Sequence, residues 1–422
     1  MPENGVVNKL HQEILKKSGE DGESSKKSAD DESEYGTFVV HQPCVALTTG
    51  KRQTVVFHQA PDDDRHFLPL PFPKSKQTDK CSTCQAPEST TNLLEVACSR
   101  DIRSHYATHK LSRKTTAEIV NLLQPRGRLF SAVRGKEIAI GIGEYAFRIC
   151  FGTEGHCLWI LTAHYNSIVG GQLSNRGEKG KAFQVPPNLI FGPPRNTPLQ
   201  ITIQAAFIRP DWTLIFVDHQ VFITFHVMRL RQPCSANDFA QCSPLWHRLW
   251  SAQHGPVYSS EPEKTLAVLD AFRNEVQESS LDYTPVWKVM KERQDVFNGF
   301  GAQESCDTLF EALIHPKMPV SYVCKHDEVW RRFHKAVIQD HLQRIASLKT
   351  AKLPCVSGRR KFPFSMNVDG HNRYLHTITC YRRNPVSFSV EKLTQAHALG
   401  LFNPDAVLGE DGVALTSTVG TV

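Results

Sequence analysis

The sequence predicts an α+β multidomain protein: a central antiparallel β-sandwich, an α-rich C-terminal region and a disordered N-terminal tail. Three observations predict it. Between residues 128 and 230, short runs rich in Val, Ile, Phe and Trp are separated by Gly, Pro and Asn, the texture of many strands joined by turns. From residue 260 onward, apolar side chains recur at helical spacing. Residues 1–36 carry nine acidic and five basic side chains, many Ser and Gly, and too few apolar groups to offset the entropy of ordering.

Taken in order, residues 1–36 read as the acidic tail, with a short helix open over Asn8–Lys17. Residues 37–125 read as irregular packing or a linker, in which strand-like pieces (Thr37–Val40, Gln53–His58) alternate with Pro-rich turns such as LPLPFPK. Within it, Ser112 or Thr116 caps a helix running to Leu123, before Pro125. Residues 126–232 form the sandwich, with strands at Glu137–Ile142, Ala146–Phe151, Leu158–His164, Leu199–Ala205, Thr213–Val217 and Val221–His226. Several alternate apolar with polar at period two, as in Leu199-Gln200-Ile201-Thr202-Ile203. Residues 240–410 form the α-rich domain, with helices at Glu261–Gln277, Pro285–Phe297, Cys306–Ile314 and Asp327–Leu348. The last places Val329, Phe333, Val337, Ile338, Leu342 and Ile345 on one stripe. Ser389 is placed to cap a final short helix that ends near Gly400.

Composition sets the outer bounds. The chain has 422 residues, 40% of them hydrophobic and 22% charged, with 25 Gly and 25 Pro. Collagen, coiled-coil and wholly disordered readings are excluded. A chain of this length buries a core without disulfide staples. The N-terminus lacks the apolar stretch of a secretory signal, and no run of about 18 apolar residues occurs, so no membrane span is expected and the expected compartment is cytoplasm or nucleus. The 12 cysteines are scattered singly and are read as mostly reduced core residues.

Residues 135–230 carry a resemblance. His164-Tyr165-Asn166 matches an H-F-N strand motif, and Asn175 a later Asn. Phe191 with Pro198-Leu199-Gln200-Ile201-Thr202-Ile203 matches a paired-strand segment. Trp212–Val217, Asp218-His219, Phe225-His226 and Arg229 match a closing hairpin. The segment resembles the galectin carbohydrate-recognition domain over roughly 100 residues. That resemblance implies a galectin/concanavalin-like jelly roll and a lectin site for a β-galactoside-type glycan, with His164, Asn166, Asn175 and Glu178 as its carbohydrate-binding residues. On a strand, His164 and Asn166 share a face and can meet one edge of a hexose. The match departs where the family has an arginine, here Ile168, and no Trp lies in Ser174–Phe183 to stack on the sugar. With the site eroded in this way, a protein partner is the other expected ligand.

Other constellations point elsewhere. Cys81 and Cys84, spaced as a CxxC, are followed by Cys98 and by His105 and His109 one helical turn apart. Four N/S ligands in this pattern suit a structural zinc, with Cys98 as a substitute ligand, although 20 residues between Cys84 and His105 exceed the usual finger spacing. Gly141-Ile-Gly143-Glu-Tyr-Ala146 scans as a dinucleotide fingerprint, but strand rather than helix follows it, so it reads as a tight hairpin. No G-x-S-x-G, Walker A or H-E-x-x-H motif occurs, and no enzyme class is assigned.

Charge is concentrated in one place. Residues 344–392 hold ten Lys/Arg against two Asp/Glu, a net of +8, whereas the rest of the chain sums to −2. Phe362, Phe364, Tyr374 and Tyr381 are interleaved there. Such a segment is a solvated basic face, a docking surface for an acidic protein, or a grip on a phosphate backbone with rings for bases. Arg359, Arg360, Lys361, Arg382 and Arg383 are its candidate anion-binding residues. The expected function is thus a non-enzymatic binding protein acting through the galectin-like domain, with a nucleic-acid-associated protein acting through 344–392 as the alternative.

Overall fold

The computed structural model describes residues 4–18, 35–41, 55–57, 65–68, 125–151, 155–171, 173–175, 181–191, 197–218, 223–251, 253–278, 283–343, 346, 362–364, 372, 375–383, 386, 388–401, 407–408 and 413–414. It is α+β, and the chain divides into two compact units. The first comprises Met1–His254 with Ala351–His371, the second Gly255–Thr350 with Asn372–Val422.

The first unit is built on two sheets. The five-stranded one has the order β4-β1-β12-β13-β8, from Arg126–Gly127, Gly36–Val40, Ile203–Ile208, Trp212–Val217 and His156–Leu161. The six-stranded one runs β2-β14-β7-β6-β5, from Val55–Phe57, Thr224–Leu230, Tyr145–Cys150, Glu137–Ile142 and Leu129–Arg134, with β3 (Phe67–Leu68) also on β14. The sheets share an aromatic core. Phe38 of β1 lies 4.4 Å from Phe147 of β7, and Phe216 of β13 meets Phe225 of β14 edge-on at 5.5 Å. Strands β9 (Leu173–Asn175), β10 (Lys181–Gln184) and β11 (Gln200–Ile201) form a separate three-stranded sheet.

Strand β6 explains how the six-stranded sheet is covered on both faces. All six of its residues are buried. Period two puts Ile138, Ile140 and Ile142 on one face and Ala139 and Gly141 on the other. The small side admits a layer from 234–250: Ala132, Ala139 and Ala146 pack with Cys234, Phe239, Trp246 and Trp250. A Cβ at Gly141 would stand 2.5 Å from the Phe239 ring, so that layer sits on bare backbone. Both flanking hairpins turn through two residues that begin with a glycine at positive φ, Gly135 (59°) and Gly143 (56°). A side chain there would be strained, and such turns suit the right-handed strand twist. The Gly141–Ala146 motif is therefore the tight hairpin the sequence predicts.

The tail expectation is corrected at residues 4–18. Helix α1 (Asn4–Ser18) places Val7, Leu10 and Ile14 on one stripe, buried against β5, and His11 Nε2 lies 3.2 Å from the Ser131 carbonyl oxygen. The acidic, Ser-rich stretch that dominated the composition of 1–36 lies outside the described residues. Within 37–125, the strand-like pieces expected at Thr37–Val40 and Gln53–His58 correspond to β1 and β2, and β1 sits between β4 and β12 inside a sheet; most of the rest of that segment lies outside the described residues.

The galectin/concanavalin-like jelly roll is corrected as well. Strand β2 pairs parallel with β14, and β13 and β14 lie in different sheets, so Trp212–Val217 and Phe225–Arg229 do not make a closing hairpin. The segment 198–203 is divided between the three-stranded sheet and β12.

The second unit is helical. Its helices are α4 (Pro262–Glu278), α5 (Val286–Glu292), α6 (Ala302–Glu311), α7 (Val320–Lys325), α8 (Asp327–Lys335), which continues into a π-helical turn at Ala336–Asp340, and α9 (Val390–Ala398); α2 (Thr162–Val169) and α3 (Trp246–Leu249) belong to the first unit. The core centres on Phe297, which meets Phe272 at 5.2 Å and Phe300 and Phe333 at 6.0 Å. Val329, Phe333 and Val337 are buried, as their stripe predicts. Helices α5 and α7 start side by side: Val286 N–H donates to the Met318 carbonyl and Val320 N–H to the Thr284 carbonyl.

Helix α9 begins as the sequence predicts. The Ser389 hydroxyl oxygen accepts from Lys392 N–H at 3.2 Å, and Gly400 takes φ of 68° just past its end. Ser389→Ala should cost the helix about 1 kcal/mol. Faster amide exchange at residues 391–393, with the rest of the unit unchanged, is the expected result.

Candidate functional site

Helix α6 and the segment 375–383 build the best-defined basic feature. The side chain of Asp307, on the core-facing side of α6, is 1% exposed. Its Oδ1 accepts from the backbone N–H of Cys380 at 2.8 Å and of Tyr381 at 3.0 Å. The Cys380 thiol donates to the Cys306 carbonyl at 3.4 Å, and Ile378 is buried. A buried carboxylate aimed at two successive amides is a charge-assisted clamp on the chain. The two residues after Tyr381 are exposed: Arg382, at φ 55°, and Arg383. A non-glycine residue in the left-handed region costs roughly 1 kcal/mol, so the clamp holds the turn in a shape it would not take alone. The Arg382 guanidinium lies 5.4 Å from the Tyr381 ring, and Arg383 Nη2 donates to the Leu375 carbonyl. Neither contact consumes a positive charge.

The flank is braced by apolar and ionic contacts. Phe310 of α6 meets Phe388 at 4.9 Å, while Lys392 stands over the Phe310 ring and pairs with Glu311. The last turn of α6 is closed from α8, where Arg332 Nη1 donates to the Ala312 and Leu313 carbonyls at 2.9 and 3.0 Å. That closure holds Leu313 at φ 53°.

A second polar cluster lies in the first unit. Glu137, at the start of β6, is 2% exposed. Its Oε1 accepts from the Cys150 thiol at 3.0 Å and lies 3.5 Å from Arg148 Nε; its Oε2 accepts from Ser251 N–H at 3.2 Å and lies 3.3 Å from His254 Nδ1. Arg134 Nη1 also donates to the His254 carbonyl. Burial alone would raise the Glu137 pKa. The opposing charges of His254 and Arg148, with hydrogen bonds from His254 and Cys150, outweigh that and hold the carboxyl below the usual range. The cluster fastens residues 251–254 to the sheet.

The carbohydrate site anticipated from the galectin resemblance is not formed. His164, Tyr165 and Asn166 lie on α2, not on a strand. Residues two apart on a helix point about 200° away from each other, so His164 and Asn166 diverge instead of sharing a face. Tyr165, 4% exposed, turns inward with Ile168, and its hydroxyl lies 2.6 Å from His41 Nε2. Burial pushes His41 down to about 4 and Tyr165 up to about 12, and it also lowers the pKa of His164. Asn166 is exposed, and its carbonyl accepts from Gly170 N–H. Asn175 lies on β9 opposite Lys181, and Glu178 lies outside the described residues. The lectin and carbohydrate-binding expectation is withdrawn on this geometry. The spacing of Tyr165 and Ile168, followed by Gly170-Gly171, is the helix signal that the strand reading missed.

The zinc candidates Cys81, Cys84, His105 and His109, with Cys98, lie outside the described residues, as do Arg359, Arg360 and Lys361. Among the described residues, no group of three or more His, Cys, Asp or Glu is placed to hold a metal ion, and no helix is long and apolar enough to cross a membrane. Asp307 and Glu137 are the two organising residues that sequence reasoning did not single out.

No protein-family model matches the chain, and no curated protein matches it. Among solved structures, a complex of Lactococcus lactis Fpg with DNA containing an abasic site is 13% identical, covering 62% of this chain and 75% of that one with a TM-score of 0.37. A variant of Lactococcus lactis Fpg bound to Fapy-dG-containing DNA is 15% identical, covering 57% and 68% with a TM-score of 0.35. MutM bound to DNA containing carbocyclic 8-oxo-G is 15% identical, covering 52% and 62% with a TM-score of 0.33. All three are complexes with DNA. The likeness is partial.

Proposed function

We propose that this chain is a nucleic-acid-associated protein and that Tyr381, Arg382 and Arg383 form one of its contacts with the phosphate backbone. The observation that carries this reading is the Asp307 clamp, which fixes a strained turn and leaves two guanidinium groups exposed beside an aromatic ring. Arginine forks suit phosphate oxygens, and an adjacent ring suits a sugar or base. The charge distribution supports the same reading, with the excess of positive charge gathered in 344–392. Arg359, Arg360 and Lys361 are proposed as a second phosphate contact within that segment.

Salt dependence tests it. Fluorescence anisotropy with labelled single-stranded and duplex oligonucleotides is measured across a salt series. Each phosphate contact contributes a slope of about −0.7 to −0.9 in log K against log salt, so Arg382→Ala with Arg383→Ala should flatten the slope by about 1.4–1.8. An unchanged slope removes this turn from the interface. Absence of any salt-dependent binding by the wild type overturns the function itself.

A further inference from the structure

Two thiols meet beneath the basic turn. The Cys380 thiol donates to the Cys306 carbonyl at 3.4 Å, across 74 residues of chain. A carbonyl oxygen lies about 2.4 Å from its own Cα, so Cys380 Sγ stands within roughly 6 Å of the Cys306 Cα. The next residue draws the two backbones together as well, since Cys380 N–H donates to Asp307 Oδ1 at 2.8 Å. A disulfide closes on the same scale, with Cα atoms about 4.4–6.8 Å apart. The helix face agrees. Cys306 and Phe310 are one turn apart on α6, as are Asp307 and Glu311, so the four line one stripe. Asp307 holds Cys380 and Tyr381, Phe310 meets Phe388, and Glu311 pairs with Lys392. Residues 380, 381, 388 and 392 therefore lie along the face that carries Cys306. Both cysteines are thiols and partly exposed, within reach of a small solute, whereas Cys157, Cys234 and Cys324 are buried and shielded from oxidation.

We propose that Cys306 and Cys380 are a redox pair, which a peroxide converts into a disulfide that locks the 380–383 turn onto α6. One thiol sulfur gives an electron pair to a peroxide oxygen; the O–O bond breaks, water leaves and the sulfur becomes a sulfenic acid. The other thiol attacks that sulfur, the S–S bond forms and a second water departs. Two thiols are thus oxidised by two electrons while hydrogen peroxide is reduced to two waters. The reduced turn depends on the Asp307 carboxylate to stay in its left-handed shape. The oxidised turn is tied to the same helix by a covalent bond, which closes a long loop and removes the freedom of residue 380 to leave α6. Arg382 and Arg383 then keep their presentation in the oxidised state whether or not the clamp opens.

The test uses the full chain, first reduced and then treated with a small excess of hydrogen peroxide. Trypsin digestion without reductant should release one species in which residues 294–317 are linked to residues 374–382, lighter by two hydrogens than the separate peptides. Dithiothreitol should separate them. Amide exchange at 378–381 should slow by about 10-fold or more on oxidation and return on reduction. Cys306→Ser and Cys380→Ser should each abolish both the linked species and the slowing; each substitution keeps the side chain close in size, and an unchanged circular dichroism spectrum confirms folding. Linkage of either cysteine to any other overturns the pair, as does peroxide treatment that leaves both as thiols or carries them to sulfinic acid unlinked. A linked species without slower exchange overturns the lock. No oligonucleotide enters the test, so its failure leaves the nucleic-acid reading standing.

Discussion

Glu137→Ala is expected to lower the unfolding free energy of the first unit by about 3–5 kcal/mol, the usual cost of removing one partner from a buried ion pair. Glu137 sits at the meeting point of β6, β7 and residues 251–254, and its carboxylate answers Cys150, Ser251, Arg148 and His254 together. Without it, Arg148, itself 7% exposed, keeps a buried guanidinium with no carboxylate opposite, and Ser251 N–H loses its acceptor. Glu137→Gln should recover part of the loss, because an amide oxygen can still accept from Ser251 but carries no charge for Arg148. Amide exchange across β6 and β7 is the direct readout. A loss below 1 kcal/mol for Glu137→Ala would mean that the cluster is not stabilising.

The same residue gives a pH dependence of definite sign. The folded-state pKa of Glu137 is depressed, so the unfolded chain binds this proton more readily than the folded one. The resulting stability is fully present above the unfolded value of about 4.3 and is lost as pH falls below it. Wild-type unfolding free energy should therefore fall more steeply on acidification below about pH 4 than that of Glu137→Gln, which lacks the titrating group. Parallel curves for the two proteins would contradict it.

What was legible in the sequence was local. Strand β6 is read with its true ends, because Ile138, Ile140 and Ile142 alternate with smaller residues and glycines mark both turns. The Ser389 cap and the Phe333 stripe are likewise local patterns. What was not legible depends on partners brought together by the fold. A strand such as β1 shows nothing in its five residues that assigns it a place between β4 and β12. Helix α7, with six residues, is too short to display a period, and the π-helical turn at 336–340 leaves the apolar stripe intact while interrupting the helix. The reading of His164 failed for a related reason: T-A-H-Y-N-S has no strong preference, and tertiary packing of Tyr165 and Ile168 decided for helix. Asp307 stood unmarked because its partners lie far away in sequence, while the arginines that follow the turn it clamps were visible as a charge run.

Asp307→Ala should be the most damaging single change in the second unit's basic turn, in both stability and binding. The carboxylate accepts two backbone hydrogen bonds within a buried setting, and bonds to a charged acceptor are worth about 1.5–3 kcal/mol each. A combined loss of about 3–6 kcal/mol exceeds the roughly 1 kcal/mol needed to hold the strained turn, and Arg382 then relaxes from φ 55° toward the right-handed region. The expected results are a collapse of amide protection at Cys380 and Tyr381, together with a loss of oligonucleotide affinity comparable to that of Arg382→Ala with Arg383→Ala, although both arginines are still present. Asp307→Asn keeps one acceptor oxygen and should lie between the two. If protection collapses and affinity does not change, the turn is a structural feature outside the interface. If protection persists, other contacts of 375–383 hold it, and the clamp is not its organiser. Loss of both together ties the buried carboxylate on α6 to the exposed charges that it positions.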